Sequence, residues 1–317
     1  MNQIWGSMEQ YNTVVWHWPI AVYLFLAGLS AGAIISAIVI KWMKGNDVSP
    51  WDGIIKAGAI LAPVTIGAGL LLLITDLTRP LHFWKLLIHY NFGSVMTLGV
   101  LALFAYFPVV ILFFMGLFKK ELFETGSLKF LAPVADFALT YTRLIEGITL
   151  VLAVGVGAYT GFLLSAMNSY PLFNTPVLPA LFLVSGISAG ISANLIVGLL
   201  FFNSSTKDSN VSYLHGLDVK VIFVELFFLF ILFVGMMYQG GSAEHVAKMA
   251  LSTGGLSSLL WVGVIGLGLV LPIGLNFALP QGVKHSHGFV IFNSLIVLVG
   301  VMSLRYYILY AGQIFVG

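Results

Sequence analysis

The sequence has no cysteine among its 317 residues. This excludes disulfide bonds, thiolate metal sites, a cysteine nucleophile and cysteine ligation of an iron–sulfur cluster within the chain. Charge is also scarce, since Asp, Glu, Lys and Arg make up 8% of the residues and the net charge is only +2. A soluble domain carries about 25% charged residues. The composition therefore argues against a soluble protein, and the scattered basic residues argue against nucleic-acid binding.

Hydrophobic residues are abundant, at 59% of the sequence, and the mean hydropathy is +1.02. A membrane-spanning helix needs about 20 mostly apolar residues. The sequence therefore predicts an all-α integral membrane protein with eight transmembrane helices and no separate soluble domain. The predicted spans are 18–40, 54–75, 94–117, 138–166, 177–202, 219–238, 255–277 and 289–310.

Basic residues predict the orientation of these spans, because lysine and arginine are enriched in cytoplasmic loops. The second, fourth and sixth loops and both termini carry three of them, namely Arg79, Lys85 and Lys248. The odd-numbered loops carry nine, namely Lys41, Lys44, Lys56, Lys119, Lys120, Lys129, Lys207, Lys220 and Lys284. Nine against three places both termini outside, which is the periplasm if the protein comes from a Gram-negative bacterium.

A short sequence recurs at an offset of 158 residues, close to half the chain. Gly28-Leu29-Ser30-Ala31-Gly32 in the first span matches Gly186-Ile187-Ser188-Ala189-Gly190 in the fifth. One interpretation is a parallel duplication that gives two four-helix halves, residues 1–168 and 169–317. The other is chance, because small-xxx-small motifs recur in membrane helices.

Ionisable residues at membrane depth need a partner, a wet cavity or a function. Asp218 and Glu225 lie seven residues apart in the sixth span, so they share one helix face at depths that differ by roughly 10 Å. They could form a proton path, or Glu225 could neutralise Arg143 or Arg305 and hold helices together. Both interpretations stay open. Arg143 and Glu146, three residues apart in the fourth span, are expected to form a structural pair.

The seven histidines all lie at predicted span ends or in loops. A b-type haem needs two axial ligands that face each other within the membrane, and no two of these histidines do so. Haem is therefore not expected, and neither is a metal site.

Polar and aromatic residues gather at the predicted outer ends of the spans. His17 and Tyr23 belong to the first span, Asp76 and Arg79 follow the second, and Tyr159 lies in the outer third of the fourth. A Tyr or His can donate a hydrogen bond to a quinone carbonyl, and a carboxylate can accept a quinol proton. Tyr and Trp are also common in the aromatic belt of any membrane protein, so composition alone leaves both interpretations open.

The sequence resembles the NrfD/PsrC family of quinone-reactive membrane subunits across all eight predicted spans. Three segments carry this resemblance. The first is residues 18–32, with Tyr23-Leu24-Phe25-Leu26 before the glycine motif. The second begins at Asp76-Leu77-Thr78-Arg79-Pro80 and runs through Phe83-Trp84-Lys85 to Met96, and it is the most specific. The third is Tyr159-Thr160-Gly161-Phe162-Leu163-Leu164-Ser165.

This resemblance implies a membrane anchor that oxidises menaquinol near the periplasmic face, in a polysulfide or thiosulfate reductase of anaerobic respiration. It implies two partners, a periplasmic iron–sulfur electron-transfer subunit and a molybdopterin catalytic subunit. Carried over by position, Tyr23, Tyr159 and, less firmly, His17 become quinone contacts, and Asp76 becomes the proton acceptor. Members of this type bind neither haem nor an iron–sulfur cluster.

Two other functions remain as alternatives. A secondary transporter would also suit a duplicated chain with buried carboxylates. Transporter spans are usually broken near the midplane, however, and here only Pro63 and Pro108 interrupt otherwise continuous spans. A purely structural anchor without quinone chemistry is the third possibility.

Overall fold

The computed structural model describes residues 14–44, 52–77, 80–87, 93–124, 129–202, 204–206, 208–284 and 286–315. All regular structure within these ranges is helical. The α-helices are α1 (Trp18–Lys44), α2 (Gly53–Thr75), α3 (Val95–Leu117), α4 (Ala132–Thr140), α5 (Thr142–Ser165), α6 (Val177–Phe201), α7 (Ser209–Gln239), α8 (Gly241–Ser252), α9 (Gly254–Ser258), α10 (Leu271–Ala278), α11 (Gln281–Lys284) and α12 (His287–Ile314).

Eight of these segments are long and apolar enough to cross a membrane, which confirms the predicted all-α fold with eight spans. The seventh span is composite, because a π-helical stretch (Leu259–Val270) joins α9 to α10. Shorter segments lie between the spans: a 3-10 helix (Pro80–Leu87), a π turn (Lys119–Glu124) and a 3-10 turn (Lys129–Leu131).

The sixth span is longer than predicted. The hydropathy pattern places its start at 219, but α7 begins at Ser209. Two polar residues in the added turns, Asn210 and Asp218, are buried with partners rather than solvated. Asn210 donates from its amide to the Asp52 carboxylate, and Asp218 accepts hydrogen bonds from two serines of α6. A hydropathy window cannot recognise such paired polar residues as part of a span.

The fourth span is shorter than predicted. The predicted range 138–166 crosses a break at Tyr141, which separates α4 from α5. Tyr141 has φ −105° and ψ 27°, so it leaves the helical region while its N–H still donates to the Phe137 carbonyl at 3.1 Å. The helix is therefore interrupted at Tyr141, although the N–H of this residue keeps its helical hydrogen bond.

Helices α1 and α6 form the most buried part of the bundle, and they meet through the repeated glycine motif. A Cβ atom placed on Gly32 would lie 2.0 Å from the Gly186 carbonyl oxygen, and one on Gly190 would lie 2.1 Å from the Ala33 nitrogen. Only glycine permits backbones to approach this closely. The two copies of the motif therefore pack against each other.

The interface between α1 and α6 continues with polar contacts toward the C-terminal ends of both helices. Asn194 of α6 donates to the Ser36 hydroxyl at 2.8 Å and to the Ala33 carbonyl at 2.8 Å. Ser36 and Asn194 are 158 residues apart, and so are Asp52 and Asn210. Residues at equivalent positions of the 158-residue repeat are thus in contact with each other at more than one place.

The outer surface of the bundle is apolar, as lipid requires. Large side chains of α3 and α7 point away from the bundle, among them Phe104, Phe227 and Phe230, with exposed fractions of 62%, 58% and 65%. Among the described residues, the buried polar groups instead lie between helices.

Candidate functional site

Tyr23 lies in the second turn of α1 and is buried, with 1% of its surface exposed. Its ring packs on α2 at Gly69, where an added Cβ would lie 3.3 Å from Tyr23 Cδ2. The absence of a side chain at Gly69 therefore makes room for the phenol ring.

Tyr159 approaches from the opposite side, on α5. Its ring lies directly over Gly99 of α3, where an added Cβ would lie 1.9 Å from the phenol oxygen. Tyr159 is partly exposed, and it lies within electrostatic reach of Tyr23. The structure therefore places the two predicted phenols within electrostatic reach of each other, although they are more than 100 residues apart in the sequence.

Two glycines of this site, Gly69 and Gly99, were not identified from the sequence. Glycine is frequent throughout this protein, at 34 residues, so its position alone gives no signal. The pairing of each glycine with one phenol becomes visible only when the helices are packed.

Asp76 caps the C-terminal end of α2, and its side chain is exposed. It lies seven residues beyond Gly69, so it continues the same helix face about 10 Å further out. Within the described part of the chain, no hydrogen bond or ion pair occupies its carboxylate. Asp76 therefore lies at the exposed end of the α2 face that carries Gly69. Arg79, which also follows the second predicted span, lies outside the described residues.

His17 precedes α1, and its side chain is exposed. The backbone beside it is fixed by Gln313 of α12, whose side-chain oxygen accepts from Val15 N at 3.0 Å and Trp16 N at 2.8 Å. The structure therefore places His17 at the exposed N-terminal end of α1, not among the buried groups with Tyr23.

The predicted Arg143–Glu146 pair is wrong. Glu146 is buried and pairs with Lys41 of α1, and it also accepts a 2.6 Å hydrogen bond from the Trp42 indole. Arg143 is exposed on α5. The partner comes from another helix, which sequence spacing along α5 cannot reveal.

A second group of buried polar residues lies between α6, α7 and α12. Asp218 accepts from the Ser188 hydroxyl at 2.8 Å and from the Ser192 hydroxyl at 3.1 Å. Arg305 donates to the Phe182 carbonyl at 2.8 Å, and its guanidinium lies over the Phe182 ring at 3.8 Å. This cation–π contact compensates in part for the burial of the charge.

Glu225 lies between these two groups. It is buried, and it is within electrostatic reach of both Arg305 and Asp218. Its Oε2 atom has no hydrogen-bond partner, and neither do Arg305 Nε and Nη1. Of the two arginines considered as partners for Glu225, the structure thus places Arg305 nearby and Arg143 at the surface.

No cluster of three or more histidine, aspartate or glutamate side chains suited to a metal ion occurs within the described ranges. Of the seven histidines, His215 is buried near the start of α7, and His17, His82, His245 and His287 are exposed. His89 and His285 lie outside the described residues.

Comparison with known proteins confirms the predicted family. The family described as "Polysulphide reductase, NrfD" matches residues 6–317, so the protein belongs to it. The sequence is 75% identical to a polysulfide reductase chain of Wolinella succinogenes, over the full length of both. It is 37% identical to protein NrfD of Escherichia coli, covering 97% of this sequence and 98% of that one. It is 23% identical to a selenate reductase subunit of Mesobacillus selenatarsenatis, covering 95% and 74%.

These similarities place the protein among multi-pass membrane subunits of oxidoreductase complexes. The relatives' names include two reductases, which does not favour a secondary transporter. The same names agree with a role in anaerobic respiration.

Proposed function

We propose that this protein is the quinol-oxidising subunit of a polysulfide or thiosulfate reductase, and that menaquinol is oxidised between Tyr23 and Tyr159. The observation that carries the proposal is the convergence of these two phenols from α1 and α5, each seated on a glycine of a neighbouring helix. Two hydroxyls on neighbouring helices can each hydrogen-bond to an oxygen of the quinol ring.

The exposure of the two phenols suits a substrate that arrives through lipid. Tyr23 is buried, whereas Tyr159 is partly exposed and its neighbour Phe162 is 54% exposed on the apolar surface. A quinol ring entering along α5 meets Tyr159 first and reaches Tyr23 behind it.

Oxidation of a quinol releases two protons and two electrons. A phenol with an ordinary pKa near 10 is a poor proton acceptor at neutral pH, so Tyr23 and Tyr159 are assigned to binding. Asp76, exposed on the continuation of the α2 face, accepts a proton directly or through one water and releases it outward. The electrons pass singly to an iron–sulfur partner subunit, and a molybdopterin subunit reduces the terminal acceptor.

The basic loops support a periplasmic position for this site and for both partners, in a bacterial inner membrane. On that side the 3-10 helix Pro80–Leu87 exposes Leu81 and Trp84, with exposed fractions of 87% and 46%. We assign this segment, together with the adjacent Arg79, to docking of the iron–sulfur subunit. A reporter active only in the cytoplasm, fused after Gly317, should give no signal.

A second role is proposed for Asp218, Glu225 and Arg305. Glu225 Oε2 and Arg305 Nε and Nη1 are buried without hydrogen-bond partners, although the two side chains lie within electrostatic reach of each other. Several unsatisfied buried polar atoms in one region favour internal water, and water between Asp218 and Glu225 would connect them for proton transfer. In Glu225→Gln, the assembled complex should keep its stability and lose proton movement coupled to turnover. Loss of assembly would instead assign Glu225 to helix packing.

The binding proposal is tested by photolabelling the assembled complex with a photoreactive quinone analogue, followed by peptide mass spectrometry. The label should enter peptides that contain the outer parts of α1 and α5, and excess menaquinol should remove it. Labelling confined to other parts of the protein, or labelling that menaquinol does not reduce, would overturn the assignment of the site.

A further inference from the structure

Gly99 of α3 lies against the phenol ring of Tyr159 in a contact that leaves no room for a side chain. A Cβ atom added to Gly99 would lie 1.6 Å from Tyr159 Cζ, 1.9 Å from the hydroxyl oxygen and 2.2 Å from Cε1. All three atoms belong to the hydroxyl-bearing end of the ring. Because the backbone fixes the direction of a Cβ atom, an added methyl group could not turn away from the ring. The phenol therefore occupies the space that a side chain at position 99 would need.

The position of the Tyr159 hydroxyl is fixed by packing. Within the described residues this hydroxyl has no hydrogen-bond partner, whereas the buried phenol of Tyr106 bonds to the Ser30 hydroxyl at 2.9 Å. A tyrosine side chain has two χ angles, and its surroundings decide which rotamer it adopts. The room left by Gly99 is therefore a condition for the observed position of the Tyr159 hydroxyl.

Other glycines of these helices show that such closeness is not general. Gly155 lies on α5, about one turn before Tyr159, and a Cβ atom there would meet nothing within 4 Å. At Gly67 of α2, an added Cβ would lie 3.6 Å from the Phe107 ring, which is an ordinary van der Waals distance. An alanine fits at either of these positions without moving a neighbour, but at Gly99 it does not.

We propose that Gly99 is a positioning residue of the quinol site, because the room that it leaves lets Tyr159 place its hydroxyl against the quinol ring. This inference rests on the proposed function, in which Tyr159 binds quinol. An alanine at position 99 displaces the phenol. A hydrogen bond between two oxygens of about 2.8 Å is lost when the atoms move apart by about 1 Å, so the displaced hydroxyl no longer bonds to the quinol.

The test compares Gly99→Ala with the wild-type protein in the assembled complex. Quinol-linked turnover, at a menaquinol concentration below KM, is divided by turnover with an artificial dye that donates electrons directly to the partner subunits. Gly99→Ala should lower this ratio about fivefold or more, as Tyr159→Phe does, because both variants lose the same hydrogen bond to the quinol. Gly155→Ala should leave the ratio unchanged, since its methyl group meets nothing within 4 Å.

Gly300→Ala is the control for crowding between helices. A Cβ atom at Gly300 of α12 would lie 2.1 Å from Gly268 Cα in the seventh span. This variant should therefore unfold at a lower temperature than the wild-type protein. Its turnover ratio should stay unchanged, because the crowded contact does not involve Tyr159. An equal fall of the ratio in Gly300→Ala and Gly99→Ala would assign the effect to crowding and overturn the inference.

A double variant tests whether Gly99 acts through the phenol. Tyr159→Leu removes the three ring atoms that a methyl group at position 99 would meet. Adding Gly99→Ala to Tyr159→Leu should therefore lower neither the turnover ratio nor dye-linked turnover any further. The double variant should assemble even if Gly99→Ala alone does not, since the crowded atoms are gone.

Three further results would overturn the inference. An unchanged ratio in Gly99→Ala, beside a reduced ratio in Tyr159→Phe, would remove the role of Gly99 and leave the proposed function standing. A further fall of either activity on adding Gly99→Ala to Tyr159→Leu would show that Gly99 acts independently of the phenol. An unchanged ratio in Tyr159→Phe would remove the proposed function, and the inference with it.

Discussion

At the scale of single residues, the sequence indicates which side chains matter better than it indicates their partners. Tyr23 and Tyr159 are predicted at similar depth from their positions in two spans, and in the structure they lie within electrostatic reach of each other. Glu146 is recognised as a buried charge, but its partner is Lys41 and not Arg143. Depth follows from the sequence position within a span, whereas partners depend on how helices are rotated against each other.

The proposed release of quinol protons depends on the carboxylate of Asp76. Asp76→Asn keeps the size of the side chain and removes its ability to accept a proton. The assembled complex should therefore show near-normal activity with an artificial dye as electron donor and at least tenfold lower quinol-linked turnover, equivalent to about 1.4 kcal/mol. Both activities are measured on the same membrane preparation.

Glu244→Gln serves as the control for this change. Glu244 is another acidic residue on the same proposed side, and its pKa is lowered by the hydrogen bond from Lys248. Its substitution should affect neither activity. Normal quinol-linked turnover in an assembled Asp76→Asn complex would contradict the proton-acceptor role and leave Asp76 a role in docking.

At the scale of helices, the spans are predicted well where they are uniformly apolar. The predicted range 177–202 agrees closely with α6 (Val177–Phe201), and 54–75 agrees with α2 (Gly53–Thr75). The predictions fail where buried polar residues lengthen α7 and where Tyr141 divides α4 from α5. The π-helical stretch in the seventh span was also not predicted. It contains Gly268, which packs against Gly300 of α12.

The contact between α1 and α6 should tolerate no added methyl group. In Gly190→Ala the new Cβ would lie 2.1 Å from backbone atoms of α1, so the helices must separate. Overpacking of this kind costs roughly 1–3 kcal/mol. The purified protein in detergent should therefore unfold at a lower temperature, as measured by circular dichroism.

Gly235→Ala provides the comparison, because a Cβ at Gly235 of α7 meets nothing within 4 Å. Alanine also favours the helix over glycine by about 1 kcal/mol, so this variant should unfold at the same temperature or higher. Equal unfolding temperatures for the two variants would show that α1 and α6 are not packed as described.

At the scale of the whole molecule, the contacts between α1 and α6 bear on the origin of the fold. Gly28 lies against Gly186, Gly190 against Gly32, and Asn194 bonds to Ser36. Each pair is separated by 158 residues, and equivalent residues touch each other only close to a twofold axis. We propose on this basis that residues 1–168 and 169–317 are duplicated four-helix halves related by such an axis.

The proposed halves have diverged in chemistry. The first contains Tyr23 and Tyr159, whereas the second contains Asp218, Glu225 and Arg305. Ser30 and Ser188, at equivalent positions of the repeat, illustrate the change. Ser30 bonds to the Tyr106 hydroxyl at 2.9 Å, and Ser188 donates to Asp218 at 2.8 Å. A short sequence repeat can suggest duplication, but this division of roles becomes visible only from the contacts.

The central claim, that quinol is oxidised between Tyr23 and Tyr159, is tested most directly with Tyr159→Phe. The change keeps the ring over Gly99 and removes one hydrogen bond to the quinol, worth on the order of 1 kcal/mol. Tyr106→Phe is the matched control, since Tyr106 is a buried phenol bonded to Ser30 elsewhere in the bundle. Quinol-linked turnover of the assembled complex, divided by dye-linked turnover, should fall about fivefold or more in Tyr159→Phe and stay unchanged in Tyr106→Phe. An unchanged ratio in Tyr159→Phe, or an equal fall in both variants, would contradict the claim.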